Sequence, residues 1–444
     1  MNLRHSQLPS GNGCAQHSIL KPALSDNLLE QMLIPSNLRT AWKRVKANKG
    51  KPGVDGVSIE EFPDYLKRHW ERIHQQLREG TYQPSPVRRI RIPKPDGGDR
   101  LLGIPTVMDR VIQQAILQVL SPIFDPEFSN HSYGFRPQRN AGQAVKCLQS
   151  SIKEGYKIAV DVDLSKFFDR VNHDLLMNRL ARKVNDKGIK QLIGNYLRAG
   201  IRDNGWYLKT TEGVPQGGPL SPLLSNIVLD ELDKTLEFRG HRFARYADDF
   251  TILVRSRRAG QRVLGSITRF VQEKLKLLVN EKKSRVGPVK ETKFLGFGFK
   301  YGYIRIHELS LKKFKQEVRR LTNRNWGISM SEQIMYLNRY LRGWGNYFLI
   351  ANAYQLSVDL DHWIRRRIRM CFWRQWRKPR TKVRSLIKLG VPEKMAIDCG
   401  ITSKGPWRSS RTYGINMGLN DKFLREQGLL SLRGIWISLH YGVS

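Results

Sequence analysis

The chain has 444 residues, which is too long for one ordinary hydrophobic core and predicts two to four subdomains. Its 77 Lys and Arg residues against 39 Asp and Glu residues give a net charge of +38, typical of nucleic-acid-binding proteins. The four cysteines are scattered, which argues against a structural zinc site and a disulfide framework. Because no apolar run approaches the roughly 20 residues of a membrane span, we predict a soluble cytoplasmic protein.

The N-terminal part of the chain alternates between polar and periodic segments. Residues 1–24 show no periodicity and are predicted to form a disordered extension. Apolar spacing between Leu28 and Val45 predicts two short helices, and a glycine-rich basic loop follows. Residues 87–104 contain a segment in which basic and apolar residues alternate, then the turn sequence Pro-Asp-Gly-Gly, then a second strand-like segment. This last pattern predicts a β-hairpin with cations on both arms.

Two acidic stretches lie in the middle of the chain. In the first acidic stretch, the two-residue period of a β-strand places apolar side chains on one face and Asp161 and Asp163 on the other. In the second, residues 243–254, strand-forming residues flank the adjacent pair Asp248 and Asp249. The second pattern predicts a tight β-hairpin whose turn carries the two carboxylates.

Adjacent carboxylates repel each other and become tolerable when divalent cations neutralise them. An isolated Asp-Asp pair is more often a solvated turn, since short motifs carry a high false-positive risk. Here Asp161 or Asp163 supplies a third carboxylate, and two-metal phosphoryl transfer needs carboxylates that hold two cations against the attacking and leaving oxygens. Hard oxygen ligands of this kind suit magnesium bound together with substrate phosphates. The sequence therefore favours a magnesium site formed by Asp248, Asp249 and an acid of the first stretch.

A glycine- and proline-rich loop separates the two acidic stretches. The sequence Pro215-Gln216-Gly217-Gly218 predicts a shaped loop in which the backbone can approach a nucleotide closely. A helix is predicted from about Leu223 onward.

The C-terminal third of the chain is basic. Residues 311–390 contain 19 Lys and Arg residues against 4 acids and are predicted to be helical. Between 363 and 376, helical spacing separates an apolar face from a face of guanidinium and aromatic groups. The second face suits phosphates and unstacked bases of folded RNA, although a merely solvated basic face would show the same spacing. The predicted RNA-binding residues are Arg365, Arg369, Trp373 and Trp376.

The order of Asp163, Pro215-Gln216-Gly217 and Tyr246-Ala247-Asp248-Asp249 resembles the palm of a reverse transcriptase. Over roughly residues 27–440 the chain is similar to the reverse transcriptase and maturase proteins of bacterial group II introns, particularly the compact class lacking an endonuclease. The resemblance implies an α+β right-hand polymerase. Its implied parts are a disordered extension (1–24), an N-terminal extension with fingers (25–139), a palm (140–308), a helical basic thumb (309–385) and a small DNA-binding module (386–444).

The resemblance also implies roles for individual residues. Asp163, Asp248 and Asp249 would hold the two magnesium ions, with Asp161 in a supporting structural role. An aromatic ring at Phe168 would lie beneath the sugar of the incoming nucleotide and clash with a 2′-hydroxyl, while Phe167 would be a core residue. Lys283 would protonate the leaving pyrophosphate, or contact the backbone instead. Lys94 and Arg100, on the two arms of the basic hairpin, would bind the nucleotide, or would instead make generic contacts with phosphate. The implied nucleotide-binding residues are Lys94, Arg100, Phe168, Gln216 and Lys283, and the implied primer grip is Phe294, Leu295 and Gly296.

Together with these features, the resemblance implies an RNA-directed DNA polymerase that copies intron RNA into DNA and also binds that RNA to assist splicing and mobility. Its predicted cofactor is two Mg²⁺ ions. Its predicted partners are group II intron RNA, an RNA template with a DNA primer, target DNA and dNTPs, in the bacterial cytoplasm and without a membrane. The alternatives are a splicing factor that has lost catalysis, against which the intact acids argue, and a retron or defence-type reverse transcriptase, whose N-terminus and thumb would differ.

Overall fold

The computed structural model describes residues 26–93 and 99–442. The predicted extension 1–24 and the predicted nucleotide-binding residue Lys94 lie outside the described residues. The chain divides into two compact units. The first comprises the described residues of Met1–Phe124 and Asn172–Ile227, and the second those of Asp125–Val171 and Val228–Ser444. The domain boundaries implied by the resemblance differ from this division and remain a prediction.

The described residues form helices and strands in mixed order, which confirms the predicted α+β class. The helices are α1 (Leu28–Leu33), α2 (Pro35–Ala47), α3 (Phe62–Arg78), α4 (Val107–Phe124), α5 (Ala141–Lys153), α6 (His173–Ala181), α7 (Lys187–Arg198), α8 (Ser221–Phe238), α9 (Arg257–Lys274), α10 (Glu308–Leu321), α11 (Met330–Phe348), α12 (Tyr354–Gln375), α13 (Pro379–Lys388), α14 (Glu393–Gly400), α15 (Pro406–Ser409), α16 (Tyr413–Gly418), α17 (Asp421–Glu426) and α18 (Leu432–Tyr441). The strands are β1 (Val87–Pro93), β2 (Asp99–Ile104), β3 (Ile158–Val162), β4 (Ile201–Asp203), β5 (Trp206–Leu208), β6 (Arg242–Tyr246), β7 (Asp249–Val254), β8 (Arg285–Pro288), β9 (Phe297–Lys300) and β10 (Tyr303–Ile306).

In the first unit, four strands form a sheet in the order β2-β1-β4-β5. Strands β1 and β2 pair antiparallel, which confirms the predicted basic hairpin. Helix α4 is the most apolar helix of this unit, and α1 and α2 pack against it. Its buried Asp109 accepts hydrogen bonds from Tyr82 at 2.8 Å and Tyr196 at 3.2 Å. Burial raises the pKa of Asp109, and these hydroxyl donors offset part of that cost.

In the second unit, a four-stranded antiparallel sheet has the order β6-β7-β3-β8. Helix α9 packs on β3, β7 and β8 through buried apolar residues at helical spacing. Gly260 allows a close approach, since a Cβ there would lie 2.5 Å from a methyl group of Val286 in β8. This sheet places the two acidic stretches side by side, because β3 and β7 are direct neighbours.

The hydrophobic core of the second unit runs without interruption from this sheet into α10–α14 and the C-terminal helices. The carboxylate of Asp361 in α12 accepts hydrogen bonds from the first turn of α18, including one of 2.8 Å from the amide of Leu432. Trp436 in α18 donates to the carbonyl of Ala351 at 3.0 Å. Helix α18 is therefore packed onto α11 and α12. Within the described chain, no helix is long and apolar enough to span a membrane.

Candidate active site

The hairpin of β6 and β7 carries two of the three predicted acids at its tip. Its antiparallel register ends at the pair Tyr246 and Asp249, which leaves Ala247 and Asp248 as a two-residue turn. The four-residue turn Tyr246–Asp249 is thus confirmed. Ala247 has a φ of 60°, in the left-handed region that residues with a Cβ rarely adopt. The surrounding residues must therefore hold this turn in place.

The third acid, Asp163, lies directly beyond the paired part of β3. Val162 pairs with Phe250, so the next step of the same antiparallel register sets Asp163 opposite Asp249. The backbone of Asp163 is fixed on both sides, because its amide donates to Ser284 Oγ at 3.1 Å and its carbonyl accepts from the Asn280 amide at 2.7 Å. The strand pairing therefore brings the three predicted ligands to the end of the sheet where β3 ends and β7 begins.

The electrostatics of this end of the sheet reflect crowded negative charge. Burial and then repulsion from Asp248, Asp161 and Asp163 raise the pKa of Asp249 to about 7, and Lys293 offsets part of the rise. The Asp249 side chain is nevertheless reached by solvent at the rim of the sheet, so water screens part of this repulsion. A cation bound here would relieve the repulsion between the carboxylates.

Asp161 is held by protein groups on both neighbouring strands. Thr251 on β7 donates to its carboxylate at 2.8 Å, and Arg285 on β8 forms an ion pair with it at 3.4 Å. Burial raises the pKa of Asp161, and both partners lower it. These contacts agree with a supporting role for Asp161 beside the site.

The donor set fits a hard divalent cation, since Asp163, Asp248 and Asp249 offer only carboxylate oxygens. Within residues 26–93 and 99–442, however, no three acidic, His or Cys side chains are grouped as a ready-made metal site. Magnesium keeps several water ligands and is commonly held by one or two carboxylates together with substrate phosphates. The three acids therefore suit Mg²⁺ ions that bind together with a nucleotide. They suit a permanent metal site made only of protein ligands less well.

A buried arginine that sequence reasoning missed holds the turn from inside. Arg245 has no exposed surface and forms an ion pair with the equally buried Asp233 of α8, with an Nε–Oδ1 distance of 2.8 Å. Its guanidinium also donates to the carbonyl of Ala247 at 2.9 Å and to Ser132 Oγ at 2.7 Å. Burial raises the pKa of Asp233, while the Arg245 charge lowers it. One guanidinium thus fixes the residue that precedes the two catalytic candidates.

The backbone around residue 134 supports the same turn from another side. A Cβ on Gly134 would lie 2.2 Å from the amide nitrogen of Ala247, so only glycine permits this contact. A sequence signal for Arg245 existed, because a charge inside an otherwise apolar strand needs a buried partner. The partner itself, Asp233, could not be identified from spacing alone.

Comparison with protein families matches the chain in two segments. The model for the reverse transcriptase (RNA-dependent DNA polymerase) family matches residues 92–299, and the group II intron maturase-specific domain matches residues 311–390. Protein YkfC of Escherichia coli (strain K12) is 32% identical over 355 residues, which cover 69% of this chain and 93% of YkfC. The chain belongs to the family of group II intron reverse transcriptases and maturases. It is accordingly an RNA-directed DNA polymerase with a splicing domain, and this family uses divalent metal ions.

A second relative supports the intron assignment over a shorter stretch. The group II intron-encoded protein LtrA of Lactococcus lactis subsp. cremoris is 38% identical over 208 residues. These residues cover 47% of this chain and 34% of LtrA. Among solved structures, a partial Cas6-RT-Cas1–Cas2 complex is 27% identical over 61% of this chain and 46% of the other, with a TM-score of 0.36. The alternatives of a catalytically inactive splicing factor and a retron-type polymerase are not favoured by the two family models and LtrA.

In this reverse transcriptase, the two adjacent phenylalanines after Asp163 have different environments. Phe167 is buried, as predicted, whereas Phe168 is only half-buried. Their rings contact each other edge to face, with centroids 5.1 Å apart. A role for Phe168 in sugar selection remains a prediction.

The other predicted nucleotide-binding residues are divided between the two units. Arg100 is exposed on β2, and the carbonyl of Gln216 accepts a 2.7 Å hydrogen bond from Gly103, so the loop 215–218 is joined to the basic hairpin of the first unit. Lys283 is exposed in the second unit, next to the Ser284 that holds Asp163. Their contacts with a nucleotide remain a prediction.

The predicted primer grip is a tight turn before β9. Phe294 is fully buried, and Leu295 and Gly296 have φ values of 52° and 83°. The carbonyl of Leu295 accepts from Tyr347 Oη at 3.1 Å, and that of Gly296 accepts from Ser310 Oγ at 2.9 Å. The turn is thus held by α10 and α11, although its contact with a primer remains a prediction.

The predicted RNA-binding face of α12 is open only in part. Trp373 is 1% exposed, so its expected place on an open face is wrong. The Lys382 ammonium of α13 lies 4.8 Å from the Trp373 ring centre. Arg365 and Arg369 both form 3.0 Å ion pairs with Asp421 of α17, and Trp376 is half-buried. Their role in RNA binding remains a prediction.

Proposed function

We propose that this reverse transcriptase copies group II intron RNA into DNA with two Mg²⁺ ions held by Asp163, Asp248 and Asp249. The observation that carries the proposal is the antiparallel register of β3 and β7, which sets Asp163 opposite Asp249 at the hairpin tip. When bound, the two ions would stabilise charge on the attacking and leaving oxygens of an in-line displacement. The reaction is attack of the primer 3′-oxygen on the α-phosphate of a dNTP, with pyrophosphate leaving.

The chain's own residues would supply position and charge around that reaction. Arg245 holds the turn through Ala247, and Ser284 holds the backbone of Asp163. Lys94, Arg100, Gln216 and Lys283 would bind the triphosphate, and the ring of Phe168 would lie below the sugar. The turn Phe294–Gly296 would contact the primer end.

The partners proposed are group II intron RNA, an RNA template with its DNA primer, and target DNA. The maturase-specific segment 311–390 and the charge of +38 support RNA binding as an aid to splicing. Arg365, Arg369 and Trp376 are its proposed contacts on α12, and the residues after 386 are the proposed DNA contact. The bacterial cytoplasm, where intron RNA is transcribed, is the proposed location.

Extension of a DNA primer on an RNA template by the purified protein tests this function. We expect extension that requires Mg²⁺, stops when the ion is chelated and resumes when it is restored. Extension on the RNA template in the presence of a chelator would refute the metal assignment. Splicing of a group II intron RNA by the same preparation, with no extension under any condition, would instead support the splicing factor that lacks catalysis.

A further inference from the structure

A basic surface lies at the end of the β6–β7 hairpin that is opposite the aspartates. Arg242 begins β6 and Arg255 follows β7, while Phe238 and Arg239 lie at the end of α8 and Arg262 is exposed on α9. We call these five residues the distal arginine surface. The four arginines line two adjoining open depressions that share Arg239, Arg262 and Ser266.

The distal arginine surface is too far from the aspartates to bind the reacting nucleotide. Arg242 pairs in register with Leu253, whereas Tyr246 pairs with Asp249, so the two sites occupy opposite ends of one hairpin. Six residue-to-residue steps of extended chain lead from Asp249 to Arg255, which corresponds to about 20 Å at the usual rise of a strand. None of the proposed catalytic roles uses this surface.

Three of the four arginines of this surface are held in place while keeping donors free for a ligand. Arg239 Nη1 donates to Ser266 Oγ at 2.7 Å, and the guanidinium of Arg255 lies 5.1 Å from the ring centre of Tyr156. Arg242 forms a 3.4 Å ion pair with Glu154, in which both side chains remain about half exposed. In the described part of the chain, Arg242 is the only one of the four with an ion pair. Side chains ordered in this way lose less entropy when they bind phosphate.

An aromatic ring beside these arginines is almost fully in solvent. Phe238 is 94% exposed and directly precedes Arg239. An isolated exposed ring has no role in the folding of the second unit, because it contacts little of the core. Rings of this kind stack on unpaired bases, and the neighbouring guanidinium groups match the phosphates that connect such bases.

We propose that the distal arginine surface binds the phosphate backbone of folded RNA, with Phe238 stacked on an unpaired base. The partner is RNA because folded RNA presents backbone and unstacked bases together, whereas the bases of duplex DNA are paired and stacked. Its identity as intron RNA rests on the proposed function. The surface would allow the protein to keep hold of the intron while a template occupies the metal site.

Binding of an in vitro transcribed group II intron RNA, measured across salt concentrations, tests this inference. We expect the triple variant Arg239→Gln/Arg255→Gln/Arg262→Gln to bind the folded RNA at least tenfold more weakly. Its slope of log affinity against log salt should fall by about 2–3, since each lost phosphate contact removes about 0.7–0.9. Phe238→Ala should weaken binding severalfold with an unchanged slope, because it removes no charge. Extension of a short primer on an unstructured template should stay unchanged in both variants.

A charge-matched control separates a specific surface from the general charge of the chain. Arg182→Gln/Lys187→Gln/Lys190→Gln removes the same three charges from α6 and α7 in the first unit. Equal affinities and slopes in the two triple variants would overturn the inference and leave the surface merely solvated. Competition by duplex DNA as strong as by folded RNA would overturn the RNA assignment. Loss of RNA binding in a protein that never extends a primer would uphold the surface and refute the proposed catalysis instead.

Discussion

The β6–β7 hairpin and helix α12 both combine charged and aromatic residues, yet their sequences predicted them with unequal success. In the hairpin, the acids lie at the predicted turn, and the register brings Asp163 opposite Asp249. In α12, the predicted open face contains a buried tryptophan, Trp373, and two arginines already bound to Asp421.

The difference arises from how many neighbours each element has. A strand in a sheet pairs with neighbours on either side, and its side chains alternate between the two faces. Pairing and alternation together determine which residues form the turn. Helix α12 is packed by α15 and α18, and Lys382 of α13 lies against the ring of Trp373. A helical period defines faces but does not say how many of them are covered.

The largest expected effect concerns the hairpin acids. Replacing Asp163, Asp248 or Asp249 with Asn should reduce primer extension to background, because each change removes a charge that the two ions require. Binding of template and primer should stay within about twofold, because basic residues dominate nucleic-acid affinity. Single-turnover extension and filter binding measure the two quantities. Full activity in Asp248→Asn would show that this end of the hairpin is only a solvated turn.

The next effect separates the position of the turn from the stability of the fold. Arg245→Met should cost about 3–5 kcal/mol of stability, because it leaves Asp233 buried without a partner. The double variant Arg245→Met/Asp233→Leu should regain most of that stability, since an apolar pair can replace a buried ion pair. It still lacks the donor to the Ala247 carbonyl, so we expect slow extension and a raised Mg²⁺ requirement.

Thermal unfolding and Mg²⁺ titration of extension provide the two readouts for this variant. Leu337→Ala, a core truncation in α11, is the control for lost stability without a change at the turn. If the double variant extends primers at the wild-type rate and Mg²⁺ concentration, Arg245 is only a structural residue.

A smaller and more selective effect is expected at the two phenylalanines after Asp163. Phe167→Ala should destabilise the protein by about 3–5 kcal/mol as a core truncation and leave sugar choice unchanged. Phe168→Ala should admit ribonucleotides, because it removes the ring predicted to clash with a 2′-hydroxyl. Single incorporation with ATP and dATP compares the two variants. Relaxed discrimination in Phe167→Ala alone would mean that the other ring selects the sugar.

The smallest effect is expected on α12. Arg365→Glu/Arg369→Glu should weaken binding to folded intron RNA and lower its salt slope, by about 0.7–0.9 for each lost contact. Asp421→Asn should strengthen that binding a few-fold by releasing both arginines, with a stability change within about 1 kcal/mol. Unchanged binding in both variants would show that these arginines only join α12 to α17.

The sequence by itself determined the class of the protein and its acidic centre. Net charge indicated nucleic acid, and period-two alternation placed Asp161 and Asp163 on one strand face. The short turn between two β-forming segments located Asp248 and Asp249. These features depend on residues close in the chain, so local geometry suffices to predict them. That one of the two adjacent phenylalanines is buried also followed from local geometry, whereas the choice of Phe167 followed from the family resemblance.

Tertiary structure alone decided the contacts that join distant segments. Arg245 needs Asp233 from α8, and Asp163 needs Ser284, which follows it by 121 residues. Trp373 is buried in the core that α12 shares with the C-terminal helices. Burial and ion pairing depend on which elements meet in space, and a single sequence encodes this only through the packing of the whole core. The partner of a buried polar residue can therefore be identified only from the tertiary structure.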